Sequence, residues 1–378
     1  MKRRSWTLCL AACLAFVSAA ALPLEAAAAS PEFARSEEEW ARLRDNVLEY
    51  EEIEDLIHEY NTTVLNNEQQ YRRDTGKTSE DIVEEYLEQA ENLYQAASDA
   101  EDDITAITSE ASARQAEINA ENNVDDGTSR WLEYVQIEKG LAVQAQTAMN
   151  TWYQLQHQRT SLQASRDLLA VSLAAVQSQQ AQGMATYSDV LTAQQSLQEM
   201  DAQIIAMDSQ IDSTRKNLIV MLGWSQDAEP EIGPMPELDL NRFAAMNPQE
   251  DLQKAYEADY TLRIDQRRFD NATNEANRQI YAQTVENDRQ QIAVAVNSAY
   301  SAAQQAKNDY DEAALNLQVA ETDRAAAAAR YQLGLISRLE YQQAETAYVS
   351  AQADLEVKKL ALLAAMETYD WTIKGVRA

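Results

Sequence analysis

The chain has 378 residues, 45% of them hydrophobic, and 31 Lys and Arg against 62 Asp and Glu give it a formal charge of −31. So acidic a surface repels nucleic acid and anionic lipid at moderate salt. With 8 Gly and 6 Pro it lacks the punctuation of an all-β protein, which turns about every ten residues, and its abundant Ala and scarce Phe suit close-packed helices better than a thick aromatic core.

The N-terminus reads as an export leader, residues 1–29. Lys2, Arg3 and Arg4 form a basic start, an apolar stretch runs from about Leu8 to Leu22, and Ala26–Ala29 offer a small-residue cleavage site before Ser30. The apolar run is shorter than the roughly 20 residues a membrane-spanning helix needs. Both cysteines, Cys9 and Cys13, fall inside the leader, so no disulfide or thiolate metal site is expected after it. Leu10-Ala11-Ala12-Cys13 also fits a lipidation box, and that alternative stays open. No later segment reads as a membrane span, and the localisation expected is the cell envelope.

The first helical repeat is expected over 30–224. Turns are predicted at Tyr71–Thr78, around Gly76, at Asn122–Ser129 and at Gly183–Thr186. The intervening stretches lack proline and are rich in Ala, Gln, Glu and Leu, all good helix formers. A helix from about Arg130 to Gln182 would run roughly 80 Å at 1.5 Å per residue. Pro230, Pro234, Pro236 and Pro248 then crowd a linker at 225–248, because a helix interior rejects proline. The second repeat, 249–378, has Gly334 as its clear break, at a tip over 334–337. Residues 249–333 contain neither Gly nor Pro and could form one unbroken helix or turn near Thr273–Ile280.

The two halves match at an offset of 151 residues, which pairs Gly183 with Gly334, Thr186 with Ser337, Asp189 with Glu340 and Ala193 with Ala344. Val190, Ala193, Leu197, Met200 and Ile204 recur at spacings of three and four, and so do Tyr341, Ala344, Tyr348, Ala351 and Leu355. The stripes before the glycines keep the same phase, from Leu141 through Leu155 to Leu173 and from Ile292 through Ala306 to Ala327. A 3.5-residue period held over several heptads means coiled-coil packing. Thr214 and Lys358 break the apolar stripes after the glycines, and Arg159, Arg166 and Arg324 stand at positions of the stripes before them. At each tip the glycine can end one helix in the left-handed conformation, and Thr186 or Ser337 can cap the next, with Asp189 or Glu340 reaching back to the cap's N–H. Capping alone accounts for both acids on this reading.

Enzyme chemistry has little to stand on. His58 and His157 are isolated, and the phosphate-loop, dinucleotide and nucleophile-elbow motifs are missing. Neither cofactor nor metal is expected, acid runs such as Glu37-Glu38-Glu39 read as solvated helix faces, and the sequons at Asn61 and Asn271 are assigned no role.

Tyr331-Gln-Leu-Gly334-Leu-Ile-Ser337-Arg-Leu-Glu340-Tyr-Gln-Gln-Ala344 resembles the second-repeat hairpin tip of TolC-like outer-membrane efflux proteins, and Gln182-Gly183-Met-Ala-Thr186-Tyr-Ser-Asp189 resembles the first. Leu218–Gly223 before the Pro-rich linker, and Asn247-Pro248 after it, are similar to the family's inter-repeat joint. The resemblance covers roughly 37–375. It implies a protomer of two tandem antiparallel coiled-coil hairpins, assembled as a homotrimer into a hollow α-barrel, and because the sequence shows no strand-like insertion the fold class expected here is all-α. It further implies that the tip residues Gly183, Thr186, Asp189, Gly334, Leu335, Ser337 and Glu340 dock on a membrane-fusion adaptor and an inner-membrane or ABC-type transporter. Glu340 matches the acid lining the family's aperture, whereas Gln343 replaces a second acid. The family also inserts β-strands between the two helices of each repeat. Here the first such place is read as only Asn122–Ser129, and runs of alternating polarity are missing, so no transmembrane β-barrel is expected. Two functions follow: a component of an efflux duct that passes small molecules outward, or a structural coiled-coil scaffold or secreted binding protein with no transport role.

Overall fold

The computed structural model describes residues 35–377, so the expected leader, its cleavage site and Cys13 lie outside the described residues. Among the described residues, 35–45 form one unit and those from Asn46 onward another. In the first, α1 (Glu37–Leu43) begins at Ser36, where Ser36 and Glu39 cap each other's backbone N–H. The Trp40 ring lies against the guanidiniums of Arg35 and Arg44.

The second unit is helical almost throughout. Its helices are α2 (Ile53–Tyr60), α3 (Thr62–Asp74), α4 (Ser79–Ser98), α5 (Asp103–Glu121), α6 (Gly127–Ala181), α7 (Tyr187–Met221), α8 (Leu240–Ala244), α9 (Pro248–Ala258), α10 (Tyr260–Asn271), α11 (Glu275–Gln332) and α12 (Arg338–Ile373). Among the described residues, strand is confined to β1 (Val47–Leu48) and β2 (Glu231–Ile232), two parallel segments of two residues each. β2 lies in the Pro-rich linker, which the Tyr153 hydroxyl also ties to α6 by donating to the Gly233 carbonyl at 2.8 Å.

Four long helices make one layer in the order α7, α6, α12, α11. α6 and α11 have 55 and 58 residues, about 82 and 87 Å at 1.5 Å per residue. Helices this long cannot bury a surface against themselves, and the heptad stripes supply the seams. Ala145, Leu155, Val190, Ile204, Ile292, Val296, Ala303 and Leu362 are all buried. The charged residues within the stripes are paired across the seams. Arg159 binds Asp208, Arg166 binds Asp201 at 2.9 Å, Arg324 binds Glu345 at 3.0 Å, and Lys358 lies 3.6 Å from Asp309. These partly exposed pairs contribute little stability each but fix the axial register of each hairpin.

At the opposite ends of the long helices the repeats match through two elbows. Asn61 separates α2 from α3, caps α3, and donates through Nδ2 to the Met221 carbonyl at 2.8 Å. Asp259 separates α9 from α10, and its Oδ1 accepts the Leu262 N–H at 2.8 Å. Residues 249–333 are therefore not one helix. They break at Asp259 and again at Ala272–Asn274, where capping side chains do what glycine or proline was expected to do. The elbows also correct the reading of the insertion site. In the second repeat α10 passes to α11 through Ala272–Asn274, whereas in the first the whole segment from Thr75 to Asp126 intervenes between α3 and α6. That segment folds as the α4–α5 helical hairpin. Of Asn122–Ser129, only Asn122–Asp126 is a turn, the one that leads from α5 into α6, and Gly127–Ser129 already belong to α6.

A charged joint holds α10 to that turn. Arg267 binds Asp126 at 2.6 Å, Arg268 binds Asp125 at 2.8 Å, and Asn271 Nδ2 donates to the Val124 carbonyl at 2.9 Å. Hydrogen bonds from the Ser129 N–H, Asn271 and Arg267 outweigh burial and hold the Asp126 carboxyl below its ordinary range. Asp265, beside Asp288, has its carboxyl pushed up, first by burial and then by its hydrogen bond to Asp288 and that neighbour's charge. A group whose folded-state pKa is raised favours folding fully only below its unfolded value, and that contribution declines as pH climbs through the folded value. Asp265→Asn is therefore expected to raise the urea midpoint at pH 7, with the gain vanishing below about pH 3.5, under the ordinary aspartate value. Parallel urea titrations at the two pH values check this.

Candidate functional site

The hairpin tips are built by local chemistry. In the first, α6 ends at Ala181 and Gly183 takes φ +76°. The Gly183 N–H donates to the Gln180 carbonyl at 3.0 Å and the Met184 N–H to the Gln179 carbonyl at 2.8 Å, so the last carbonyls of α6 are satisfied. Thr186 then caps α7. The Asp189 N–H donates to Thr186 Oγ1 at 3.2 Å and the Thr186 N–H to Asp189 Oδ2 at 2.7 Å. The second tip repeats the arrangement. Gly334 takes φ +68°, the Leu335 N–H donates to the Arg330 carbonyl at 2.9 Å, and Ser337 and Glu340 cap each other's N–H at 3.2 and 2.8 Å. In both acids the backbone N–H of the cap residue is the main cause that draws the carboxyl below its ordinary range. Glu340 is thus ionised and engaged with its cap, and Gln343, one turn further on, is exposed.

What the tips present outward is apolar. Met184 and Tyr187 on the first tip, and Leu333 and Leu335 on the second, are each about two-thirds or more exposed. On the second, Tyr331 and Tyr341 stack across the hairpin with ring centroids 5.1 Å apart, which stiffens the neck. The seven residues singled out from sequence therefore lie at two equivalent hairpin ends. The exposed anchors beside them, Met184, Tyr187 and Leu333, were not singled out, although large apolar residues beside a helix-ending glycine are the signal that could have found them.

The second feature lies at the sides of the layer. α7 and α11 are its outer helices, and both carry exposed apolar residues at heptad intervals. Leu191 and Ile205 on α7 are two heptads apart, as are Ile280 and Val294 on α11, with Leu315 three heptads beyond. Ile205, Val294 and Leu315 are 67%, 69% and 64% exposed. Gln198, Asn287, Ser301 and Asn308 hold the heptad positions between them, so each face is a sparse apolar row, spaced in whole heptads, of the kind a neighbouring helix can cover. Among the described residues, no helix is long and apolar enough to cross a membrane.

No protein-family model matches the chain, and no curated protein sequence is similar to it. Solved structures do share its fold. A membrane protein from Pseudomonas aeruginosa is 12% identical, with 85% of this chain and 91% of that one aligned at a TM-score of 0.53. The CmeC outer membrane channel of Campylobacter jejuni is 10% identical, with 89% of this chain and 88% of that one aligned at a TM-score of 0.52. At such identities the likeness concerns the fold alone, and this chain's fold is the TolC-like helical one, all-α with long antiparallel hairpins.

Proposed function

We propose that this chain is an exported component of an efflux duct. Copies associate side by side, as a homotrimer, into a helical tube in the cell envelope. The tube docks by its hairpin tips on an adaptor and an inner-membrane or ABC-type transporter, and small molecules pass outward through it. The observation that carries this reading is the open layer, whose two outer helices bear these apolar rows. A contact between unlike edges repeats from copy to copy, and it closes a ring where its rotation divides the full circle. The matched tips support the docking role, since they set exposed apolar anchors on capped, rigid ends. On this reading Gly183, Thr186, Asp189, Gly334, Leu335, Ser337 and Glu340 shape the docking surface, with Glu340 and Gln343 nearest the aperture.

Cysteine placed at Met184 or Leu335 can be read without background, because Cys9 and Cys13 are the chain's two cysteines and both fall in the expected leader. Cross-linking in the native envelope is expected to capture the same adaptor from both tips, and not from a cysteine at Ile107. Capture of no envelope transport protein from either tip would reject the docking role. The scaffold reading keeps one specific support: where the family resemblance implied inserted strands, the first repeat carries the α4–α5 hairpin. A scaffold would show no closed ring in solution, and that measurement separates the two.

A further inference from the structure

α4 and α5 pack chiefly on each other, through a thin core of Ile82, Ala90, Ala113 and Ala116. Buried alanine contributes little, since the hydrophobic gain scales with apolar area, so the pair is short of apolar partners. One flank leaves a groove of about 540 Å³ floored by Val83, Leu87 and Ala120 and walled by Glu80, Glu84 and Glu117. Leu87 is half exposed there. Tyr94 donates its hydroxyl to Glu117 at 3.1 Å, which steadies one wall.

Charge decides what can lie in this groove. Residues 79–121 hold thirteen Asp and Glu against a single base, Arg114. The same hairpin of a second copy would set acid against acid, and an anionic lipid surface or a nucleic acid would be repelled in the same way. An apolar floor between acidic walls, alongside two antiparallel helices, accepts a third helix with an apolar stripe flanked by Lys or Arg. We propose that the α4–α5 groove is a docking site for a basic amphipathic helix of another protein, which completes a three-helix bundle. This surface is separate from the hairpin tips, so its test does not depend on transport.

The probe is a fluorescent peptide of Leu and Lys patterned as an amphipathic helix, titrated against the full chain, with a Leu and Glu peptide of the same pattern as its counterpart. The Leu/Lys peptide is expected to bind, more weakly as salt rises, and the Leu/Glu peptide not to bind. Leu87→Ser and the double variant Glu84→Lys/Glu117→Lys are each expected to weaken binding by about tenfold. Glu88→Lys/Glu101→Lys makes the same charge change on exposed residues outside the groove and is expected to change it by less than about threefold. Equal losses in the two charge variants together with no effect of Leu87→Ser would overturn the proposal, because binding would then be diffuse charge attraction. Self-association that Leu87→Ser abolishes would also overturn it, by giving the groove to a second copy. Circular dichroism confirms that each variant is folded before its affinity is read.

Discussion

Gly375→Ala is expected to destabilise the protein by about 3 kcal/mol or more, whereas Gly334→Ala should cost about 1 kcal/mol. Both glycines have positive φ, +92° and +68°, so each alanine pays the left-handed penalty of about 1–2 kcal/mol. The difference lies in the surroundings. A Cβ on Gly334 meets nothing within 4 Å, but one on Gly375 lies 2.2 Å from the Ala258 carbonyl oxygen and 2.8 Å from the Asp259 Cα. Those are backbone atoms of the elbow and cannot swing aside as a side-chain end would. The C-terminal segment could peel away instead, and that escape is also costly. It removes the Gly375 carbonyl from the Tyr260 N–H and takes Arg377 off Asp259 and Asp288, at 2.9 and 3.4 Å. Asp259 and Asp288 are 1% and 4% exposed, and stripping the cation from buried carboxylates costs several kcal/mol. Gly223→Ala should behave like Gly375→Ala, because its Cβ would lie 2.3 Å from the Tyr60 Cβ at the matching elbow. Urea midpoints for the three variants, measured side by side at one pH, check the ranking. Equal shifts for Gly334→Ala and Gly375→Ala would show that the elbow yields where its geometry says it should not.

These glycines also mark how far the sequence could be read. Gly183 and Gly334 announce themselves because each is followed, three residues on, by its own cap, Thr186 or Ser337, and then by an acid. All of that chemistry lies within seven consecutive residues, 183–189 or 334–340. The long seams are legible for the same reason, since a 3.5-residue period needs no knowledge of the partner helix. The roles of Arg159 and Arg166 in their stripe are not legible in sequence, because the carboxylates that answer them, Asp208 and Asp201, lie on another helix and far along the chain. The elbows were harder. A break made by Asp259 or Asn61 depends on a side chain capping the helix after it, and Asp and Asn inside a helix-favouring stretch read equally well as exposed surface.

The insertion in the first repeat is larger than Asn122–Ser129 for a different reason. The offset that aligns the tips stays in phase back to the start of α6 and of α11, so Ala272–Asn274 was found near its expected position. Beyond that point the first repeat continues in helix, Ala- and Glu-rich like its surroundings, and composition cannot separate an inserted helix from the arm of a repeat. Thr78 and Asp81, which cap each other's N–H at the start of α4, and Asp102, which caps α5, were the local signals that two extra helices begin there. Only the three-dimensional match of the elbows shows which helices correspond.

Ile205→Glu and Leu315→Glu are each expected to leave a folded protomer and weaken its self-association by about a hundredfold or more. The two side chains lie at comparable distances along the chain from Gly183 and Gly334, so in a ring of copies with their tips level they would face one another across the same seam. Burying a large aliphatic side chain contributes about 1.5–3 kcal/mol, and glutamate in its place adds the cost of burying an unpaired charge. A cyclic assembly repeats that loss at every interface. Within the protomer the effect should be small, because both positions are nearly two-thirds exposed or more and take no part in the seams among α6, α7, α11 and α12. Ile107→Glu, made at a residue of equal exposure on α5, is the matched control and should leave the assembled mass unchanged. Sedimentation of the four proteins at several concentrations reads the result, and disulfide trapping adds direction. Ile205→Cys in one copy should join Leu315→Cys in the next, whereas Ile205→Cys alone should give no dimer, since a self-paired edge closes at two copies and leaves no tube. If the edge variants sediment as the unaltered chain does, the apolar rows are not assembly surfaces and the scaffold reading takes precedence. If they fall to protomers while Ile107→Glu does not, the heptad residues left bare on α7 and α11 are what closes the ring.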